Sequence, residues 1–216
     1  MIGFSNYVNQ IKAEFKKEQI KAFDLIEAFE SIQLASMGHN DTEGYQIFTP
    51  DFIVKDMCQA IGPDIFDSSK TILEPTSGDG AFTTYILQKR LEKITKNFEI
   101  ESLRALSTIY SIEMDKELIE KQRNNIFTLV KHFVVENKIE VDTSYFDILR
   151  CIIVKNFMWA MSNTQRNEGL LFGIDVAYKM PEAEKGNLKP LDMLVWEINE
   201  KEINVHEEGI KLWMIH

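Results

Sequence analysis

The chain has 216 residues, of which 44% are hydrophobic and 27% are charged, and this balance argues against an intrinsically disordered protein. Its 34 acidic residues outnumber its 24 basic residues, so the formal net charge is −10 and no basic excess is present to hold nucleic-acid phosphates unaided. No run approaches the ~18 apolar residues of a membrane-spanning helix and no secretory signal opens the chain, so we expect a cytoplasmic protein with no membrane partner.

Residues 1–40 predict a helical segment. Between residues 5 and 35 the apolar side chains recur mostly at steps of three and four, which is the period of an amphipathic helix. They are Val8, Ile11, Phe15, Phe23, Ile26 and Phe29. The pattern favours a helix packed over the core, and a helix that forms an oligomer or binds a partner is the alternative. Residues 41–216 are expected to form one α/β domain.

The next helix is predicted from Phe52 to Ile61. It follows a loop of turn-forming residues at 37–44 and the tripeptide Phe48-Thr49-Pro50. Gly62-Pro63 ends it, because proline cannot continue a helix.

From residue 70 onward, strand patterns alternate with helix patterns. We predict strands at 71–74, 107–112, 138–144 and 191–196, and helices at 81–93, 116–134 and 148–162. Such alternation predicts a doubly wound, mostly parallel sheet with helices on both faces.

A glycine loop, residues 74–82 (Glu-Pro-Thr-Ser-Gly-Asp-Gly-Ala-Phe), stands where the first strand of this unit ends and a helix begins. It lacks the Gly-Lys-Ser/Thr of a phosphate-binding loop, and Thr83 stands where a dinucleotide loop has its third glycine. The carboxylates of Glu74 and Asp79 repel phosphate but suit a cationic or zwitterionic ligand. S-adenosylmethionine, with a sulfonium and an ammonium group, is such a ligand.

Acidic residues follow the next two predicted strands. Glu113 stands at a position from which a carboxylate accepts both ribose hydroxyls of a nucleoside. Asp147 stands where a carboxylate accepts from an adenine amino group, and Ile148 beside it offers an apolar cover for the ring. We therefore expect Gly78, Glu113 and Asp147 to share one crevice at the carboxyl edge of the sheet.

Taken in order, these segments resemble the cofactor-binding half of adenine-N6 DNA methyltransferases of the restriction-modification type, over residues 40–150. The resemblance implies S-adenosylmethionine as the cofactor and DNA as the substrate. It also implies the following cofactor contacts: Phe48, Thr49 and Pro50 at the methionine moiety; Glu74, Pro75, Thr76, Gly78, Gly80 and Phe82 in the glycine loop; Glu113 at the ribose; and Met114, Asp147 and Ile148 at the adenine.

One element of that family is missing. Its members carry Asn/Asp-Pro-Pro-Tyr/Phe after the fourth strand, and this element holds the amino group of a flipped base in line with the sulfonium methyl. After Pro75 this chain has prolines only at Pro181 and Pro190. The corresponding slot would be residues 197–200 (Glu-Ile-Asn-Glu), so no catalytic residue is assigned.

Three readings of the function stay open. The first is an active adenine-N6 methyltransferase that contacts DNA through a partner subunit or a missing target-recognition domain. The second is an inactive methyltransferase-like binding or regulatory subunit, and the third is a remnant with neither cofactor nor catalysis. Cys58 and Cys151 are expected to be reduced thiols, and since the histidines and cysteines lack metal-ligand spacing, no metal site is expected.

Overall fold

The computed structural model describes residues 49–164, 174–179, 192–200 and 203–209. The helical segment predicted for residues 1–40, as well as Phe48, lies outside these ranges. The helices are α1 (Asp51–Ile61), α2 (Ala81–Leu91), α3 (Phe98–Ser107), α4 (Lys116–Glu136) and α5 (Thr143–Asn156), with a 3₁₀ helix at Pro63–Phe66. The strands are β1 (Ile72–Glu74), β2 (Ile109–Glu113), β3 (Phe157–Thr164), β4 (Ile174–Lys179), β5 (Asp192–Ile198) and β6 (Ile203–Gly209).

A four-stranded sheet with the order β1-β2-β3-β4 organises the domain. The first three strands are parallel, and β4 pairs antiparallel with β3. Glu74 stands opposite Ser111, and Glu113 stands opposite Trp159. Helices connect the parallel strands, as parallel pairing requires. The domain is therefore an α/β fold compatible with a Rossmann-like arrangement, and its parallel strands end at one edge.

Two apolar clusters use alternate residues of the strands. Ile109 and Phe157 belong to the large core, together with the buried faces of α2, α3, α4 and α5. Strand side chains of the opposite parity form the second cluster: Tyr110, Ile112, Met158 and Ala160, with Leu73 packed against them. This is the alternation that a strand imposes, since successive side chains point to opposite faces.

Much of the predicted order is confirmed. Helices α1, α2 and α4 and strands β1 and β2 lie within a few residues of their predicted bounds. Helix α3 was not predicted. None of the described helices is long and apolar enough to cross a membrane.

The third strand was predicted in the wrong place. Residues 138–144 form a loop and the start of α5, while the strand is β3, whose residues 157–162 fall in the range predicted as a helix. The alternation in 138–141 was misleading, because Ile139 and Val141 pack singly against the core without a strand partner. Asp142 then caps α5 by accepting a 2.9 Å hydrogen bond from the Ser144 N–H.

The fourth strand exists, but it does not join the parallel sheet in the described part of the chain. β5 pairs antiparallel with β6 in a separate two-stranded sheet. Hydrogen bonds hold this hairpin to the helices and to β2. The Trp196 indole N–H donates to Asn156 Oδ1 (2.7 Å), Arg104 Nε donates to the Ile198 carbonyl (2.6 Å), and the Tyr110 hydroxyl donates to the Leu194 carbonyl (2.7 Å).

Candidate functional site

The two glycines of the loop between β1 and α2 have different roles. Both have left-handed backbones, with φ 57° at Gly78 and φ 83° at Gly80. A Cβ added to Gly80 would lie 2.3 Å from Cγ of Gln122, whereas a Cβ on Gly78 would meet nothing within 4 Å. Gly80 is therefore required by packing inside the protein, and Gly78 leaves open space from which a ligand can approach the backbone.

A buried glutamine holds the loop from beneath. Gln122 Oε1 accepts from the hydroxyls of Ser77 (2.9 Å) and Ser111 (3.0 Å), and its Nε2 donates to Thr83 Oγ1 (2.8 Å). The loop, β2 and α2 are thus fixed to one side chain of α4. We did not single out this residue from the sequence, although its spacing from Ile119 and Ile126 places a polar group in the buried stripe of α4.

Glu113 connects the end of β2 to the glycine loop. Its Oε2 accepts a 2.7 Å hydrogen bond from the Gly78 N–H, and its Oε1 accepts a 2.8 Å bond from the Asp115 N–H. Each carboxylate oxygen has two lone pairs, so each of these atoms retains the capacity to accept from a ligand hydroxyl. The expected proximity of Gly78 and Glu113 is confirmed.

Glu74, at the start of the same loop, has one carboxylate oxygen that lacks a hydrogen-bond donor in the described part of the chain. Its Oε2 is buried and has no hydrogen-bond partner among the described residues. The pKa of Glu74 is raised to about 8, chiefly by burial and also by the negative charges of Asp79 and Glu113, while contacts from the Thr83 N–H and hydroxyl oppose the shift. A buried oxygen without a donor indicates a position for a ligand donor.

A cleft of about 550 Å³ opens between α1 and the start of α2. Its lining includes Phe52, Lys55, Asp79 and Thr84. The Thr84 hydroxyl is buried and is a second group without a partner among the described residues. The cleft therefore combines an apolar ring, charges of both signs and an unsatisfied hydroxyl.

Thr49 and Pro50, the described residues of the aromatic-Thr-Pro element, come directly before Asp51, which lines this cleft. Thr49 and Pro50 lie at the start of α1, where the Pro50 carbonyl accepts hydrogen bonds from the N–H groups of Ile53 (2.9 Å) and Val54 (3.1 Å). Because α1 lines the cleft, these two residues lie at its border.

The remaining residues of the loop and of the β2 end divide into exposed and packed positions. Thr76 is exposed, Pro75 is partly exposed, and Phe82 packs against the core. Met114 is 58% exposed, which is high for a large apolar side chain directly after a buried strand. A ligand lying across the end of β2 would cover it.

Asp147 and Ile148 do not follow a strand, so the geometric reason for placing them at the adenine is gone. Both lie in the first half of α5. The Asp147 carboxylate is 3.4 Å from Arg150 Nη1, and Ile148 is 1% exposed within the core. The expectation that Gly78, Glu113 and Asp147 follow three successive strand ends is therefore confirmed for Gly78 and Glu113 and wrong for Asp147.

The slot at residues 197–200 belongs to the β5–β6 hairpin. Ile198 is buried in the core, Glu197 is exposed, and Glu200 accepts a 3.1 Å hydrogen bond from Asn97 Nδ2. The Ile198 carbonyl accepts from Arg104 of α3, and Glu197 and Ile198 pair with β6.

Comparison with known proteins found no matching family model, no matching curated protein and no matching solved structure. The described residues also contain no group of three or more His, Cys, Asp or Glu side chains that would hold a metal ion. Cys58 and Cys151 are buried free thiols. Burial raises the pKa of Cys151 to about 12, so this thiol stays protonated and unreactive.

Proposed function

We propose that this chain binds S-adenosylmethionine at the carboxyl ends of β1 and β2 and is an adenine-N6 DNA methyltransferase of the restriction-modification type. The observation that carries the proposal is the 2.7 Å bond between the Gly78 N–H and Glu113, which brings the glycine loop and the acid at the end of β2 together. A doubly wound sheet is part of the proposal. It is supported by the second apolar cluster, because Ile112 and Ala160 in this cluster are fully buried on the face of the sheet opposite the large core.

Charged groups at the glycine loop, and in the cleft that Asp79 of this loop lines, suit the groups of this cofactor. The buried Oε2 of Glu74 suits an ammonium donor, and Asp79, whose carboxylate lies 3.1 Å from Lys121 Nζ, stands at the same loop. Lys55, in the cleft lining, offers a cation to the carboxylate of the ligand. The free lone pairs of Glu113 suit the ribose hydroxyls, and the open space at Gly78 lets the ligand approach the backbone.

When bound, S-adenosylmethionine supplies a methyl group made electrophilic by its sulfonium. The described residues bind and orient it. Gln122 keeps the loop in place, Glu113 would hold the ribose, and the carboxylates of Glu74 and Asp79 would lie at the positive end.

DNA binding is assigned to a partner subunit or a further domain. Phosphate neutralisation supplies most of the affinity of such proteins for DNA, and a chain with a net charge of −10 is a poor source of it. Assembly through residues 1–40, predicted from the sequence as a helical segment, and a cytoplasmic location belong to the same proposal.

A second candidate is a methyltransferase-like binding or regulatory subunit that performs no chemistry. The structure of residues 197–200 favours it. This slot has no aromatic residue to stack on a flipped base, and its Ile198 and Glu200 are hydrogen-bonded to Arg104 of α3 and to Asn97.

The test is calorimetric titration of the full chain with S-adenosylhomocysteine, a stable product analogue. We expect binding by the wild type, weaker binding by Glu113→Ala, and unchanged binding by the control Glu140→Ala, which alters an exposed loop carboxylate. Transfer of a labelled methyl group to adenine in duplex DNA then separates the two candidates. Binding with transfer supports the enzyme, binding without transfer supports the subunit, and no binding contradicts both.

A further inference from the structure

Trp159 occupies the carboxyl end of the third parallel strand. It is the Cα partner of Glu113 in the β2–β3 ladder, so the two side chains leave the same face of the sheet. The ring packs against the edge of the large core and stays partly exposed. An aromatic ring therefore stands beside the carboxylate to which the ribose is assigned.

Two interactions fix the orientation of this ring. Its indole N–H donates a 2.9 Å hydrogen bond to the carbonyl of Met114, the residue directly after Glu113. The ammonium of Lys116 lies 5.4 Å from the ring centroid, within the range of a cation–π contact. The ring is thus held across the end of β2 before any ligand arrives.

The surroundings of Trp159 match the needs of a purine attached to a ribose at Glu113. Met114, 58% exposed, offers a second apolar surface at the same strand end. Asp147 and Ile148, which the family resemblance implies for this task, lie in α5 instead. We infer that Trp159 forms a wall of the nucleobase subsite and that the adenine ring of the cofactor packs against its indole beside Met114.

This inference rests on the proposed function, and fluorescence of the full chain tests both. The double variant Trp196→Phe/Trp213→Phe leaves Trp159 as the only tryptophan. Titration with S-adenosylhomocysteine should change its emission along the same isotherm that calorimetry gives. Trp196 is buried and bonded to Asn156, so Trp196→Phe alone should leave the ligand-dependent change in place.

Affinity gives the second readout. Trp159→Ala should weaken binding of S-adenosylhomocysteine about 5- to 150-fold, as expected for the loss of one base–aromatic stacking contact. Trp159→Phe keeps a ring and should recover much of that loss. Adenosine, which carries the base and ribose alone, should lose affinity by a similar factor. Thermal unfolding of each variant establishes that it is folded.

The outcomes distinguish the inference about Trp159 from the proposed function on which it rests. Normal affinity of folded Trp159→Ala, or unchanged Trp159 emission on saturation, overturns the inference and leaves cofactor binding intact. Absence of binding by the wild type, seen by both calorimetry and fluorescence, overturns the proposed function and the inference together.

Discussion

The Glu113 carboxylate and the Gly78 N–H form a 2.7 Å hydrogen bond across 35 residues of chain. It joins the end of β2 to a loop whose backbone is left-handed at that glycine. Oε1 of the same carboxylate receives the Asp115 N–H, and Asp115 in turn caps α4 by accepting from the N–H of Glu117 (2.8 Å). One acidic side chain thus positions both the loop and the helix that holds the loop from below.

Removal of this carboxylate should weaken cofactor binding. In Glu113→Ala the ribose hydroxyls lose a charged acceptor, which is worth about 1.5–3 kcal/mol, or roughly 10- to 150-fold in the dissociation constant. Glu113→Gln keeps one carbonyl acceptor and should lose less. Calorimetry measures the change against Glu140→Ala. Equal affinity of wild type and Glu113→Ala would show that Glu113 does not bind the ribose hydroxyls.

The two loop glycines should respond differently to alanine. Gly80→Ala adds a Cβ 2.3 Å from the Gln122 side chain, so overpacking of about 1–3 kcal/mol adds to a left-handed strain of about 1–2 kcal/mol. Gly78→Ala carries only the strain, but its methyl group occupies space assigned to the ligand. Urea unfolding should therefore show the larger loss for Gly80→Ala.

Gly62→Ala is the control for this pair. Gly62 also has a positive φ, 109°, with nothing within 4 Å of an added Cβ, but it follows α1 and lies outside the loop. This variant should lose stability and keep its affinity for S-adenosylhomocysteine. If Gly78→Ala binds as well as Gly62→Ala, the open space at Gly78 is not a ligand position.

Gln122→Leu should destabilise the fold. The variant leaves the buried hydroxyls of Ser77, Ser111 and Thr83 without their glutamine partner, and unsatisfied buried groups cost about 1–3 kcal/mol each, partly relieved by the remaining carbonyl acceptors. We expect a loss of about 2–5 kcal/mol in urea unfolding. Gln88→Leu makes the same substitution at an exposed helical position and should stay within about 0.5 kcal/mol of wild type.

Local sequence patterns predicted the part of the fold in which neighbours along the chain set the structure. The glycine loop needs positive φ at Gly78 and Gly80, and the glycines in the sequence therefore predicted the loop. The third strand depends on non-local pairing instead. Phe157 starts β3 because it pairs with Ser111 and because its carbonyl accepts from Arg123, and neither contact leaves a periodic pattern.

The site was predictable to the same extent. Glu74, Gly78, Gly80 and Glu113 are confirmed as neighbours, because the ends of adjacent parallel strands meet at one edge. Trp159 could not be assigned to that edge while residues 148–162 were predicted as helix. Asp147 was misplaced for the same reason, since its assumed position depended on a strand that the chain does not form at 138–144.

The stability of the protein should depend on Glu74 between about pH 4.5 and about pH 8. The folded pKa is raised from 4.5 to about 8, chiefly by burial, so over this range the unfolded chain is ionised while the folded chain keeps its proton. The unfolded state then binds fewer protons, and stability falls as the pH rises. Glu74→Gln removes this contribution. Urea unfolding should therefore show the stability of the variant relative to wild type increasing from about pH 5 to about pH 8.

Ligand binding should reverse the preference of Glu74 for its proton. An ammonium group near the buried Oε2 favours the carboxylate, so at about pH 7 S-adenosylhomocysteine should release a proton from the wild type. Calorimetry in buffers of different ionisation enthalpy measures that release. The affinity should rise with pH and level off above about 8, because Glu74 is then already ionised. Glu74→Gln should show neither the proton release nor this part of the pH dependence, and an identical release by both proteins would show that the ammonium does not lie at Glu74.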